Sequence, residues 1–293
     1  MRKTWCIVCA MVILSCTKEV TDGPAPQSLP LLKRTVQTDT SGAVMRVTHY
    51  NEFELVTFDT AYDSKTHNVG LYYINEYNAK GKRIKQQYFL PILYTGGSYW
   101  EWHYHYQNDT LPDYTYRYFR GNQVAHNTYF YNAARQLVMD STYHTPNYGT
   151  YTYLSKFTYD AAGRIASSLN LNEVRDTTAY ITYQYTPNKV EKTTMNIMYT
   201  PQPYITNGIT TTEYTSNGKI LLEKGINPDL PQHFTQTAYT YDGSGNLLKK
   251  ITTSSGAAPA EERYFNNSTT GKPEKMEYYL DNRLIYVVTY FYE

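Results

Sequence analysis

Apolar and polar residues alternate along most of this chain. Trp100, Trp102, Tyr104 and Tyr106 interleave with Glu101, His103, His105 and Gln107. Tyr114, Tyr116 and Tyr118 do the same with Thr115 and Arg117, and Tyr151, Tyr153, Phe157 and Tyr159 keep the habit. A period of two, carried by aromatic and β-branched residues, predicts half-buried strands. No window holds a convincing helical period.

The strands are punctuated by a recurring phrase. Tyr241-Asp242-Gly243-Ser244-Gly245-Asn246-Leu247 matches Tyr159-Asp160-Ala161-Ala162-Gly163-Arg164-Ile165 position by position in character. Tyr214 to Gly218 and Tyr77 to Gly81 are further copies. An aromatic residue enters the turn, Asx and Gly shape it, and an aliphatic residue begins the next strand. Asx side chains bond nearby backbone amides, and Gly accepts the positive φ of a tight hairpin. The residues entering the turns are Tyr50, Tyr77, Tyr106, Tyr131, Tyr159, Tyr185, Tyr214, Tyr241 and Phe265. Subtracting successive positions gives 27, 29, 25, 28, 26, 29, 27 and 24. The unit at Tyr131 lacks the Gly, Tyr185 leads into Pro187-Asn188, and Tyr50 and Tyr106 are degenerate. A near-fixed period of this size marks a repeat architecture. It has room for two strands, a tight turn and a variable connection, the last carrying breakers such as Gly96-Gly97, Gly121-Asn122, Pro146-Asn147, Asn207-Gly208, Pro228-Asp229 and Gly256 to Pro259. A lone hairpin is marginal in water, so the units must stack side by side to be stable.

The Tyr-Asp-x-x-Gly-Arg/Asn-Leu/Ile phrase resembles the YD repeat, also called the RHS repeat, from about Tyr50 to the C-terminus. The resemblance implies tandem β-hairpins wound into a long curved sheet. In large members of that family the sheet forms a shell around a cargo; this chain is far shorter and resembles the small repeat lipoproteins of unknown function. The expected fold is all-β: an antiparallel meander of about eight to nine hairpins, hence roughly sixteen to eighteen strands. It forms either a strongly curved sheet or a closed, porin-like but water-soluble barrel, and closure abolishes free edges. Pairing of a first strand near Met45 to Tyr50 with a last one at Tyr286 to Tyr292 would mark the closed form. A lipid-facing band needs one persistently apolar face, whereas here Thr, Lys, Gln, Glu and His occupy the alternate positions.

The segment before the repeats changes the picture. Arg2 and Lys3 precede an apolar run from Trp5 to Leu14, too short to span a bilayer and suited to export. It closes on Ile13-Leu14-Ser15-Cys16, which resembles the lipobox of bacterial lipoproteins. That resemblance implies cleavage before Cys16 and acylation of its residue, palmitate being one such acyl group. The expected division is residues 1–16 as signal peptide, 17–42 as Pro-rich tether and 43–293 as a single YD-repeat-like β domain. All three cysteines, Cys6, Cys9 and Cys16, lie in the first segment, so the repeats have no disulfide staples. The expected location is the cell envelope, as an outer-membrane lipoprotein, with the membrane as partner through the anchor.

Net charge is +1, from 27 basic and 26 acidic residues, which disfavours nucleic acid as a partner. No nucleophile elbow, phosphate loop or zinc-protease motif is present, and an enzyme is not expected. His103 and His105 share a strand side with Glu101, yet no further ligand at suitable spacing completes a metal site. Asp160 and Asp242 read as turn residues, and Asp59, Asp63, Glu101 and Asp109 cannot be paired into an acid–base couple from sequence. No cofactor is implied. The aromatic run Tyr99 to Tyr104 is the best candidate ligand feature. Trp100, Trp102 and Tyr104, with Arg117, form a candidate platform for sugar rings, or else the sheet's own packing face; Arg117 and Arg120 suit a glycan carboxylate or an acidic side chain. The leading expectation is a non-enzymatic, membrane-anchored binding protein for a glycan or an envelope protein. The alternatives are a structural shell, a transmembrane-type barrel and, last, a hydrolase with a cryptic site.

Overall fold

The computed structural model describes residues 30–63, 65–66, 68–90, 98–107, 110–145, 152–199 and 204–293. Cys16, the signal segment, residues 17–29 of the expected tether, Gly96-Gly97 and Pro146-Asn147 lie outside the described residues. Strands take up 72% of the described residues, and no helix occurs among them. They are β1 (Leu32–Asp39), β2 (Val44–Tyr50), β3 (Val56–Tyr62), β4 (Val69–Tyr77), β5 (Arg83–Leu90), β6 (Ser98–Gln107) and β7 (Leu111–Phe119). There follow β8 (Asn122–Tyr131), β9 (Leu137–His144), β10 (Thr152–Tyr159), β11 (Ile165–Leu171), β12 (Thr177–Thr186) and β13 (Lys189–Met198). The last are β14 (Tyr204–Tyr214), β15 (Ile220–Asn227), β16 (Leu230–Tyr241), β17 (Leu247–Ser254), β18 (Ala260–Asn266), β19 (Pro273–Leu280) and β20 (Arg283–Tyr292).

Each strand pairs antiparallel with its neighbours in sequence, and β1 pairs with β20 from Leu32–Tyr292 to Asp39–Tyr286. The sheet is a closed, twenty-stranded meander. Two expectations are corrected. The strand count is higher, and closure is made by β1 rather than by the strand at Met45 to Tyr50, which pairs with β1 and β3. Leu32–Asp39 falls within the expected tether of residues 17–42 but forms β1. Prolines end at Pro30, and a Leu-Lys-Arg-Thr-Val run follows. That run is short and polar, but it covers two edges that would otherwise stay unpaired. Asn207-Gly208, expected to break a strand, lies inside β14 with Gly208 in register opposite Thr194. Pairing on both sides overrides the weak strand preference of glycine.

Six of the turns that follow even-numbered strands, those after β2, β4, β8, β10, β14 and β16, share one geometry. In the Tyr77 unit, Asn78 N–H donates to Lys82 O at 2.8 Å and Gly81 N–H donates to Asn78 O at 2.9 Å. Gly81, Gly163, Gly218 and Gly245 have φ of 69°, 77°, 79° and 83°, the left-handed region where a Cβ is costly. Arg135, in the unit without Gly, takes the same position at φ 63°, and Glu54 in the Tyr50 unit takes it at 56°. Each such turn ends in a register shift, as between Thr158 and Tyr159 or Thr240 and Tyr241. The tyrosine that enters the turn reaches sideways, and Tyr185 does so without a register shift. Tyr77, Tyr159, Tyr185 and Tyr241 donate their hydroxyls to the carbonyls of Val56, Leu137, Ile165 and Ile220 at 2.7–2.9 Å. These acceptors are the first residues of β3, β9, β11 and β15. Tyr131 and Tyr292 reach Pro112 and Pro273 likewise, and Asn266 does the same job through its amide to Leu247 at 2.9 Å. Every such bond ties one repeat to the turn of the repeat before it.

Register fixes which side chains face inward. One row runs Thr35, Thr48, Asp59, Tyr73, Tyr88, Trp100, Phe119 through direct cross-strand partners. Most buried residues, including Thr35, Thr48, Asp59, Asn75, Thr115, Ala125, Ser168, Ala179 and Met276, share that face. It is the inside of the barrel, and it is largely polar. A twenty-stranded ring is larger than the barrels whose side chains fill them. Few apolar side chains are buried, and only Val124 is a large one fully so among the described residues.

Candidate functional site

The inner face of β6 and β7 gathers the aromatic candidates. Alternation along β6 sends Trp100, Trp102 and Tyr104 inward, opposite Phe119, Arg117 and Thr115 of β7. The Trp100 and Trp102 rings lie 6.2 Å apart at 27°, and Trp100 meets Phe119 at 4.6 Å. Tyr88, beside Trp100 on β5, stacks near Tyr73 at 4.8 Å. The guanidinium of Arg117 stands 6.0 Å from the Trp100 ring, and that of Arg83 stands 4.9 Å from Tyr104. All four residues of the sequence-derived platform, Trp100, Trp102, Tyr104 and Arg117, form one continuous inner ledge.

Polar side chains frame the ledge. Gln86 Nε2 donates to Asn75 Oδ1 at 3.1 Å, and Asn75 Nδ2 donates to Val56 O at 3.0 Å. Thr115 Oγ1 and Tyr129 OH are 3.3 Å apart. Burial raises the Tyr104 and Tyr129 phenols above their ordinary value, so both stay neutral donors over the physiological range. Further along the inner face, Asp59 accepts Arg46 and the Thr48 hydroxyl, the latter at 2.8 Å. Lys250 pairs with Glu262 at 3.0 Å. Two isolated inner features were not legible in sequence: Asp140, whose carboxyl burial pushes up, and His144 beside Arg117. They become neighbours of the ledge only through the pairing of β7, β8 and β9.

The outer face is a different surface. Glu101, His103 and His105 point outward. Glu101 is held by Tyr99, His103 and Gln87, with Lys85 at 3.3 Å. Burial pushes this carboxyl up, but these donors outweigh it and leave it at about 2; the Tyr99 phenol rises to about 12 through burial and its bond to Glu101. Among the described residues no cluster of three or more metal-ligating side chains forms. Similar outward ladders join Lys249 and Arg263 to Glu261, and Lys275 to Glu277. Asp160 Oδ1 accepts Ala162 N–H and Arg164 N–H at 2.9 Å each, and Asp242 Oδ1 accepts Asn246 N–H at 2.7 Å. Both carboxylates are therefore engaged in shaping their own turns. A concavity of about 500 Å³ lies on the outer face against Phe130, Met139, Leu154 and Leu171 and does not touch the ledge. It is open and apolar, whereas the ledge combines stacked rings with fixed donors, which is the arrangement that orients a polar ligand.

No family model and no curated protein matches this chain. Among solved structures, it is similar to a porin-like protein from Bacteroides uniformis, at 10% identity and a TM-score of 0.42, over 89% of this chain and 96% of that one. It is also similar to TcdB2-TccC3 at 11% identity and a TM-score of 0.34, over 88% of this chain but 20% of that one. TcdB2-TccC3 without its hypervariable C-terminal region matches at 13% identity and a TM-score of 0.33, over 84% of this chain and 15% of that one.

Proposed function

We propose that this chain is a non-enzymatic binding barrel of YD-type hairpins, held at the outer membrane by an acylated Cys16, whose inner ledge takes a saccharide. The observation that carries the reading is the convergence of Trp100, Trp102, Tyr104 and Arg117 on one inner surface. Sugar rings have an apolar face that covers an indole and a polar rim that meets amides and hydroxyls. Gln86, Asn75, Tyr104 and Tyr129 supply such groups around the rings. Outward ion pairs favour a barrel that stands in water, since charges on a lipid-facing surface are destabilising.

The test uses a favourable accident of composition. The three tryptophans are Trp5, Trp100 and Trp102, so a chain starting after residue 16 reports only on the ledge by intrinsic fluorescence. A glycan array followed by fluorescence titration should find a saccharide that shifts this emission. Trp100→Ala and Trp102→Ala should each abolish binding at temperatures where the barrel remains folded. If no glycan binds, or the two variants only lower stability, the proposal fails.

A further inference from the structure

Among the described residues, Arg117 is a cation without an anion. It faces inward opposite Trp102 and Ala125. Its Nη2 lies 3.2 Å from His144 Nε2 and 3.3 Å from Nδ1. Burial, and then the guanidinium charge, hold the imidazole below its ordinary value, so it is neutral and adds no negative charge. The Nε–H of Arg117 is buried without a partner. No carboxylate among the described residues forms an ion pair with it. Of the other inward cations, Arg46 has Asp59 and Lys250 has Glu262, Arg83 lies over the Tyr104 ring, and Lys192 faces Tyr183 and Thr210. Glu223, also inward, accepts the hydroxyl of Tyr239 on the far side of the repeat series. Asp140 shares β9 with His144 but sits mid-strand, four residues away, which is roughly 13 Å along a strand. An inward guanidinium held beside two indoles, without its own carboxylate, leaves a positive charge for something else to answer.

We infer that the ledge selects an acidic saccharide: a uronic-acid oligosaccharide whose rings stack on Trp100 and Trp102 and whose carboxylate meets the Arg117 guanidinium. This rests on the saccharide reading above and narrows it. A carboxylate is favoured because the planar guanidinium fork matches it with two parallel hydrogen bonds. A uronic acid also carries that group on the same ring that offers an apolar face, so one residue satisfies both parts of the ledge. The Trp100 ring, packed on Phe119, lies 6.0 Å from the guanidinium, so a sugar ring stacked on that indole comes close to the charge.

The experiment compares tetragalacturonate with its methyl ester, which keeps the shape and removes the charge. Both are titrated against the chain lacking residues 1–16 by tryptophan fluorescence, at low and high salt. The acid should bind roughly tenfold tighter than the ester, the worth of one charge-assisted contact. High salt should shrink that advantage. Arg117→Gln should bring the ratio of the two affinities close to one, and Arg117→Lys should keep part of the preference through charge alone. Equal binding of acid and ester to the unaltered protein overturns this inference and leaves the saccharide reading standing. Binding of neither, with an array of acidic and neutral glycans also blank, removes both.

Discussion

The inner face changes character around the ring. From β4 to β8 it carries Tyr73, Tyr88, Trp100, Trp102, Tyr104, Phe119 and Tyr129, interleaved with Asn75, Gln86 and Arg117. From β12 to β17 it carries fewer rings, Tyr183 and Tyr239, among Thr194, Thr206, Thr210, Thr212, Thr235, Thr237 and Thr252, with Gly208 and Gly225 between them. A Cβ added at either glycine would meet nothing within 4 Å. The backbone ladder, the Asx turns and the tyrosine hydroxyl bonds are common to both sectors. The fold therefore does not require large rings along every inner strand. Threonines bridged to one another, as Thr237 and Thr252 are at 3.0 Å, line a wall equally well. What the aromatic sector adds is a surface, and that surface is where binding is sought.

The comparison can be broken at several strengths. Trp100→Ala removes the ring packed at 4.6 Å on Phe119 and should cost about 3 kcal/mol, whereas Thr210→Ala across the ring should cost about 0.5 kcal/mol or less; urea melts measure both. Equal costs would erase the distinction between the sectors. Glu101, on the outer side of the ledge, sharpens it through pH. Its carboxyl is held at about 2 against an ordinary 4.5, so its stabilisation is complete above pH 4.5 and fades as pH falls toward 2. Glu101→Gln should lose about 2 kcal/mol at neutral pH and show a flatter acid limb, read from melting temperature against pH.

Smaller effects test what the sectors share. Tyr77→Phe in the aromatic sector and Tyr241→Phe in the threonine sector each delete one phenol-to-carbonyl bond of 2.8 Å. Each should cost about 1 kcal/mol, and the two should match. Arg135 occupies at φ 63° the position that Gly81 and Gly163 fill elsewhere, so Arg135→Gly should raise stability by roughly 0.5 kcal/mol. A loss would mean that the Arg135 bond to Thr110, at 2.6 Å, outweighs the backbone strain.

Much of this was legible because local chemistry and global fold agree. Period-two patterning sends Trp100 and Trp102 to one side and Glu101 and His103 to the other without any knowledge of the barrel. Asp160 and Gly163 announce a turn because their side-chain and φ requirements are local. Three things were hidden. Leu32–Asp39 has too little apolar alternation to declare a strand, and only its two partners make it one. The turn from Asn172 to Asp176 has the same Asx bonds, at 3.1 and 2.8 Å, but joins β11 to β12 at the opposite end and has Arg175 where the Gly would stand. His144 meets Arg117 across 27 residues through an intervening strand, and no spacing in sequence signals that.

Hydrogen exchange of the backbone amides in β1 and β20 tests the ring most directly. If Thr35 to Thr38 and Val287 to Tyr290 exchange as slowly as the amides of β13 and β14, the first and last strands hold each other. Should those two segments exchange at the rate of unpaired edges while β13 and β14 stay protected, the sheet is open, its inner face is not enclosed, and the ledge on β6 and β7 loses the setting on which its proposed role depends.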